Sequence, residues 1–157
     1  MAIGHVLSAM RRAVKVPLVV LMVVFSSLQF VRPARTNPPS DPADALTTYV
    51  PAHVAEILDR SCRDCHSNRT RWPWYSSIAP VSWLVIDHVD HGRSHFNYSK
   101  WPTYGEEQKL AIRKNSCQMA RAGTMPLASY VLLHGSARLS PGDIVALCAW
   151  AVPASGH

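Results

Sequence analysis

Apolar and polar residues divide the start of the chain into a basic front and a long apolar run. Residues 16–31 carry no charge and are mostly apolar, and the residues before them hold three cations and no acid. This order is typical of an export segment, which is either a signal peptide or a short membrane anchor. No small-x-small cleavage site precedes Arg32, so we predict a retained anchor over residues 1–35, with residues 14–31 as its transmembrane helix.

A proline-rich polar stretch follows the anchor. Residues 36–44 contain three prolines and few apolar side chains, a composition that favours a semi-rigid linker over a packed core. The folded domain is therefore predicted over residues 45–157. Its first helix follows Pro51, where apolar residues recur at helical spacing: Val54, Ile57 and Leu58.

Three further helices are predicted from helix-start and helix-stop residues. One begins near Pro80 and is ended by Gly92. The next begins at the Thr103-x-x-Glu106 capping box and is ended by Gly123, and the last begins at the Ser140-x-x-Asp143 box. The apolar stripe of the last helix comprises Ile144, Leu147, Cys148 and Ala151. The pattern predicts a small all-α domain.

Charge argues against a nucleic-acid partner. The formal net charge is +6, but five of the sixteen lysines and arginines lie in the first 35 residues. Eleven cations then face ten acids in the rest of the chain, which is nearly neutral. The basic balance belongs to the predicted anchor, so no nucleic-acid partner is expected.

The central chemical motif is Cys62-Arg63-Asp64-Cys65-His66. The C-x-x-C-H spacing is typical of covalent haem attachment, in which each thiol adds to one porphyrin vinyl group and the imidazole becomes the proximal iron ligand. A zinc site or a thioredoxin-like motif would also use C-x-x-C, but the sequence shows neither two further close ligands nor a βαβ context. We therefore expect one covalent haem c, held by Cys62, Cys65 and His66.

Other candidate ligands and cofactor contacts follow the motif. His88, His91 and His95 follow within eight residues, and His91 and His95 would share one helix face only if the helix continued through Gly92. We therefore expect histidines on the surface or against the haem propionates rather than a second metal site. Three tryptophans, which could wall a flat cofactor or simply form core, are Trp72, Trp74 and Trp83.

The residues after Cys62 also resemble a known family. The chain is similar to the bacterial haem-binding domain family related to class I cytochromes c, over roughly residues 50–151. The resemblance rests on Ser67, Asn68, Thr70, Trp72-Pro73-Trp74-Tyr75-Ser76, Ala79-Pro80-Val81-Ser82-Trp83-Leu84, His88-Val89, Gly92-Arg93, Asn97, Ser99, Trp101, Gly123, Met125-Pro126, Tyr130, His134, Ala137, Leu139-Ser140 and Trp150. It implies a periplasmic c-type haem domain with a cytochrome c-like helical fold, in a family whose physiological task is mostly unassigned.

The segment Gly123-Thr124-Met125-Pro126 resembles the sixth-ligand loop of class I cytochromes c. The resemblance implies that Met125 is the second axial ligand of the iron. His134 is the main alternative ligand, and a methionine that only fills the core is the other interpretation.

Two cysteines lie outside the haem motif. In an oxidising compartment, Cys117 and Cys148 are expected to lie close enough to form a disulfide, and two buried free thiols are the alternative.

The leading functional hypothesis is a non-enzymatic electron carrier, because His66 and Met125 would fill both axial positions. The sequence contains no nucleophile motif and no glycine-rich phosphate loop. The alternatives are a redox or gas sensor, a weak peroxidase, or an accessory haem domain of a neighbouring oxidase or peroxidase. Covalent haem attachment is expected on the periplasmic side of a bacterial inner membrane, with a redox protein as partner.

Overall fold

Helices are the only regular elements in residues 2–152, the part of the chain that the computed structural model describes. The α-helices are α1 Ala2–Leu28, α2 Ala52–Ser61, α3 Arg63–His66, α4 Val81–His95, α5 Glu106–Arg121, α6 Ala128–Leu133 and α7 Pro141–Ala151. Short 3-10 helices are Pro42–Asp44, Leu46–Thr48, Trp74–Ser77, Tyr98–Thr103 and Gly135–Ala137. The prediction of a small all-α fold is confirmed.

These residues form two compact units. The first comprises residues 2–34 and 73–86, and the second comprises residues 35–72 and 87–152. In the first unit, Gln29 and Ala79 exchange two hydrogen bonds of 3.0 Å, one through each end of the glutamine amide. The indole Nε1 of Trp83 donates to the carbonyl oxygen of Val31 at 2.8 Å. These bonds connect the residues that follow α1 to the segment that leads into α4.

Helix α1 contains most of the segment that was predicted to cross a membrane. Within residues 2–152, no helix is both long and apolar enough for a transmembrane span. Lys15 lies inside α1 and leaves residues 16–28 as the uncharged part of the helix. At 1.5 Å per residue this part is roughly 20 Å long, against a hydrocarbon core of about 30 Å. The fold therefore does not support the transmembrane helix expected over residues 14–31.

The second unit is built around α2, α5 and α7. Helix α7 packs against both α5 and α2, as expected for a C-terminal helix that crosses the first helix of the domain. The buried core consists of Leu46, Val54, Ile57, Leu58, Tyr98, Trp101, Ala120 and Leu147. Ala45 and Leu46 are buried, and the domain start near residue 45 stays a prediction.

A disulfide joins α5 to α7. Cys117 and Cys148 have an Sγ–Sγ distance of 1.97 Å and a Cα–Cα distance of 4.7 Å, so the predicted bridge is confirmed. The closed loop of about 32 residues corresponds to up to about 3.7 kcal/mol of stabilisation in the chain-entropy model. The bridge therefore fixes α5 against α7.

Helix ends follow the predicted rules, with two differences. The Ser140–Asp143 capping box is present: Asp143 N donates to Ser140 Oγ at 3.1 Å and Ser140 N donates to Asp143 Oδ2 at 2.7 Å. Helix α5 begins at Glu106 rather than at Thr103, because Gly105 is its N-cap and donates to Gln108 Oε1 at 3.2 Å. After α5, Gly123 adopts a left-handed φ of 66° and stops the helix as predicted.

The second difference concerns α4, which continues through Gly92 to His95 instead of ending at the glycine. Gly92 lies against the backbone of Cys65: a Cβ at this position would be 2.4 Å from the Cys65 carbonyl oxygen. The glycine is therefore required for a close approach between two chain segments, and it does not end the helix.

The start of the predicted linker is held by hydrogen bonds. The Arg93 guanidinium donates to the carbonyl oxygen of Thr36 at 2.8 Å and to Asn37 Oδ1 at 3.0 Å. Asn37 Nδ2 donates in turn to the carbonyl oxygen of Thr70 at 2.9 Å. Residues 36–37 are thus attached to the second unit.

Candidate functional site

The C-x-x-C-H motif forms a tight turn at the end of α2. The backbone N–H of Cys62 still bonds to the carbonyl oxygen of Leu58 at 3.0 Å, and the short helix α3 then begins. The His66 N–H closes this turn on the Cys62 carbonyl oxygen at 3.1 Å. Neither Cys62 nor Cys65 is in a disulfide. Both thiols and the imidazole are thus presented by a single turn of chain.

All three side chains of the motif line one cavity of about 500 Å³ in the second unit, within the size range of cofactor sites. Residues 62–66 are called the attachment turn here, after the haem attachment expected from their sequence. The wall of the cavity is formed by this turn, by α4, by one face of α5 and by the segment that follows α5. The described lining residues are Leu58, Ser61, Cys62, Asp64, Cys65, His66, His88, His91, Gly92, His95, Phe96, Tyr98, Ile112, Asn115, Ser116, Met119, Ala120, Met125, Pro126, Leu127, Tyr130, Leu139 and Leu147. Most of these are apolar, as expected for a site that takes a large flat cofactor.

His66 is held in the state that suits a metal ligand. Its ring stacks on Phe96 with a centroid distance of 4.2 Å and an interplanar angle of 12°. Nδ1 lies 3.4 Å from the Phe96 carbonyl oxygen, a contact that assigns the ring proton to Nδ1. Burial lowers the pKa of His66, which favours the neutral ring. The lone pair of Nε2 is then left for a metal ion.

The two thiols lack the low pKa that disulfide exchange requires. Burial raises the pKa of Cys62 and of Cys65 to about 11 in each case, and the Tyr98 hydroxyl is hydrogen-bonded to Cys62. A thioredoxin-like motif needs a thiol pKa below the usual value. Within residues 2–152, no group of three or more His, Cys, Asp and Glu side chains could hold a metal ion. The raised thiol pKa values therefore argue against a thioredoxin-like motif.

A buried carboxylate connects the attachment turn to the segment after α5. Asp64, which lies between the two cysteines, accepts a hydrogen bond of 2.8 Å at Oδ2 from the Tyr130 hydroxyl. Its Oδ1 accepts from the backbone N–H of Arg71 at 3.2 Å and from Arg71 Nε at 3.4 Å. Burial and the bond to Asp64 raise the pKa of Tyr130. The phenol therefore remains a hydrogen-bond donor and ties its segment to the motif.

A second polar network joins the loop that follows His66 to the segment that follows α4. Asn97 Nδ2 donates to Asn68 Oδ1 at 2.7 Å, and the Asn68 backbone N–H donates to Ser99 Oγ at 3.0 Å. Asn97 Oδ1 accepts from the Ser99 N–H at 2.9 Å. All three residues are buried. The network fixes the loop after His66 to the segment that carries Phe96, the residue that accepts the bond from His66.

Helix α4 contributes three histidines to the cavity wall: His88, His91 and His95. The expectation that the helix ends at Gly92 and separates His91 from His95 was wrong: α4 continues past Gly92, so both lie on one face together with His88. The physical reason is the contact described above: Gly92 faces Cys65, and its neighbours on the same side of the helix are the histidines.

Of the two candidate sixth ligands, Met125 lines the cavity and His134 does not. The Met125 side chain is 39% exposed and follows the turn at Gly123, and the Met125–Pro126 peptide is cis. His134 instead stacks on Tyr130 at a centroid distance of 4.1 Å. A second thioether, that of Met119, also lines the cavity and lies 3.2 Å from Thr124 Oγ1.

The three predicted tryptophans are not among the residues that line this cavity. Trp72 is half-buried in the second unit. Trp74, which is 77% exposed, and Trp83 belong to the first unit. Contact of these rings with the cofactor remains a prediction.

Sequence reasoning missed several wall residues. Met119 follows Ile112 and Ser116 at helical spacing, a pattern that could have placed it on the same face of α5. Asp64 could have been noticed as an acid inside the motif. Its pairing with Tyr130 joins residues 66 positions apart and has no local signal.

Residues 23–152 match the model of a haem-binding domain. Because the match covers most of the chain, the protein belongs to the haem-binding domain family and is a haem-binding protein. The match begins within α1, earlier than the resemblance recognised from residue 50 onward. Neither the search of curated proteins nor the search of solved structures gave a significant match.

We expect the substitution Gly92→Ala to damage the site. Its Cβ would lie 2.4 Å from the Cys65 carbonyl oxygen, so α4 or the attachment turn must move. Overpacking of this kind costs about 1–3 kcal/mol of unfolding free energy. Denaturant unfolding should show that loss, and haem content per chain should fall. The control is Gly135→Ala, because nothing lies within 4 Å of a Cβ there. Equal behaviour of the two variants would refute the importance of the contact.

Proposed function

We propose that this protein is a c-type cytochrome that binds one haem covalently through Cys62 and Cys65, with His66 as proximal ligand. One observation carries the proposal: two unpaired thiols and an imidazole with a free Nε2 lie on one turn and line one largely apolar cavity. These residue types fit the chemistry of thioether attachment and axial ligation.

The haem would supply one-electron redox chemistry when bound. The protein residues have separate tasks. Phe96 orients His66 through stacking and through the bond to its carbonyl oxygen. Asp64 and Tyr130 hold the Met125 segment near the attachment turn. The apolar wall limits access of water.

Met125 is proposed as the second axial ligand. It lines the cavity with His66, and a proline follows it directly in the chain. A thioether ligand favours the ferrous state and therefore a high reduction potential. With both axial positions filled, no open iron site would remain for a substrate, which favours electron transfer over catalysis.

Location and partner follow from the same proposal. We propose that the second unit lies in the periplasm of a bacterium, where covalent haem attachment is expected, and that the basic and apolar N-terminal segment acts in export. We propose that residues 14–31 associate with the inner membrane and that electrons pass to or from another redox protein. The nearly neutral charge of the chain after residue 35 argues against nucleic acid as a partner.

The ligand set can be tested by absorption spectra of the oxidised and reduced holoprotein. Replacing Met125 with Ala should open the iron to carbon monoxide in the reduced state and lower the reduction potential, because the thioether is lost. His134→Ala is the matched control and should leave both properties unchanged. Met119→Leu tests the second thioether and should behave like wild type.

Rapid binding of carbon monoxide by reduced wild type would overturn the electron-transfer proposal in favour of a gas sensor. Loss of the sixth ligand in His134→Ala or in Met119→Leu would reassign the axial ligand.

The fate of the N-terminal segment can be tested by cell fractionation with N-terminal sequencing of the holoprotein. The proposal predicts a membrane-associated chain that retains residues 14–31. A soluble periplasmic product that starts after residue 31 would show that the segment is a cleaved signal peptide.

A further inference from the structure

In the described part of the chain, the basic side chains that line the cavity are histidines, and apart from His66 they all come from α4. Among the described residues that line it, there is no lysine and no arginine, and the carboxylate of Asp64 is engaged by Tyr130 and Arg71. Haem carries two propionate carboxylates, which need hydrogen-bond donors or water once the macrocycle is bound. Within residues 2–152, the basic side chains that line the wall besides His66 are those of α4: His88, His91 and His95.

These three side chains form a row. Their spacings of three, four and seven residues place them on one face of a helix. Gly92 lies on the same side and touches the Cys65 backbone, so the row runs beside the attachment turn. His91 and His95 are exposed and His88 is half-buried, which places the row at the open rim of the cavity.

We propose that this row is the propionate-binding edge of the cofactor site, with His91 and His95 as the principal donors to the carboxylates and His88 as a third. This inference rests on the proposed function, because it assumes that haem occupies the cavity.

The surroundings of His91 support a donor role. Its Nδ1 lies 3.2 Å from the Asp87 carbonyl oxygen and 3.3 Å from Asp87 Oδ1. When both ring nitrogens carry a proton, Nδ1 donates to Asp87 and Nε2 is free to donate to a second carboxylate. Asp87 thus orients the ring.

The nearest arginine on α4 is committed elsewhere. Arg93 donates through Nε to the Ser67 carbonyl oxygen at 2.7 Å and through Nη2 to Thr70 Oγ1 at 2.9 Å. Its other bonds go to residues 36 and 37. Arg113 on α5 has a buried Nε without a hydrogen-bond partner among the described residues, but its side chain does not line the cavity. Arg113 is therefore the alternative partner for the propionates, and the experiment compares it with the three histidines.

The test uses the full-length holoprotein made with haem whose propionate carboxyl carbons are labelled with ¹³C through labelled 5-aminolevulinate. Infrared difference spectra between the oxidised and reduced states report the labelled carboxylates. We expect the His91→Gln/His95→Gln double variant to shift these bands and the triple variant with His88→Gln to shift them further. His53→Gln is the matched control, because His53 is exposed on α2 and does not line the cavity.

The outcomes separate this inference from the proposed function. Absence of covalent haem in wild type would reject the proposed function itself. Normal haem content with labelled bands that are the same in wild type and in the triple variant would reject only the propionate edge. A shift in Arg113→Gln together with none in the histidine variants would also reject it and assign the carboxylates to α5. Circular dichroism and haem content, measured for every variant in the experiment, show whether a band shift comes from misfolding.

Discussion

The close approach of α4 to the attachment turn is the constraint on which the site depends. At Gly92 the helix meets the backbone of Cys65 with no room for a side chain. This contact allows the turn that carries Cys62, Cys65 and His66 to lie directly against a helix. It also places the histidines of α4 along the same cavity. A larger residue at position 92 would separate these two walls.

Buried polar groups then hold in place the segments around the contact between Gly92 and Cys65. Asp64 would be costly to bury alone, but it accepts bonds from Tyr130 and Arg71 and so connects the attachment turn to the segment of Met125. The Asn68–Asn97–Ser99 network performs the same task around His66. A fully bonded network of this kind specifies one arrangement of loops that have little regular structure. The loops can therefore present ligands at defined positions.

Local signals in the sequence were sufficient for the all-α class and for the ends of several helices. The Ser140–Asp143 box and the stop at Gly123 depend on neighbouring residues only, and they were predicted correctly. Gly92 was misinterpreted because a glycine near a helix end has two meanings. It can end the helix, or it can permit a close approach, and only the distant Cys65 decides between them.

The transmembrane helix was predicted on the condition that Lys15 reaches the membrane surface, and no helix in residues 2–152 is long and apolar enough for a span. The pairing of Tyr130 with Asp64 could not be predicted, since tertiary contacts between distant segments leave no periodic pattern. The disulfide lies between these cases: the expected oxidising compartment made a bond between Cys117 and Cys148 plausible, and only the structure shows the two cysteines side by side.

The central claim is that the two thiols of the attachment turn bind haem covalently. Its most direct measurement is the intact mass of the denatured chain after acid-acetone extraction, from a host that matures c-type cytochromes. The account predicts one haem retained per chain in wild type, and loss of that added mass in a Cys62→Ala/Cys65→Ala variant. Wild-type protein from which the haem extracts completely, or which carries zinc instead, would contradict it.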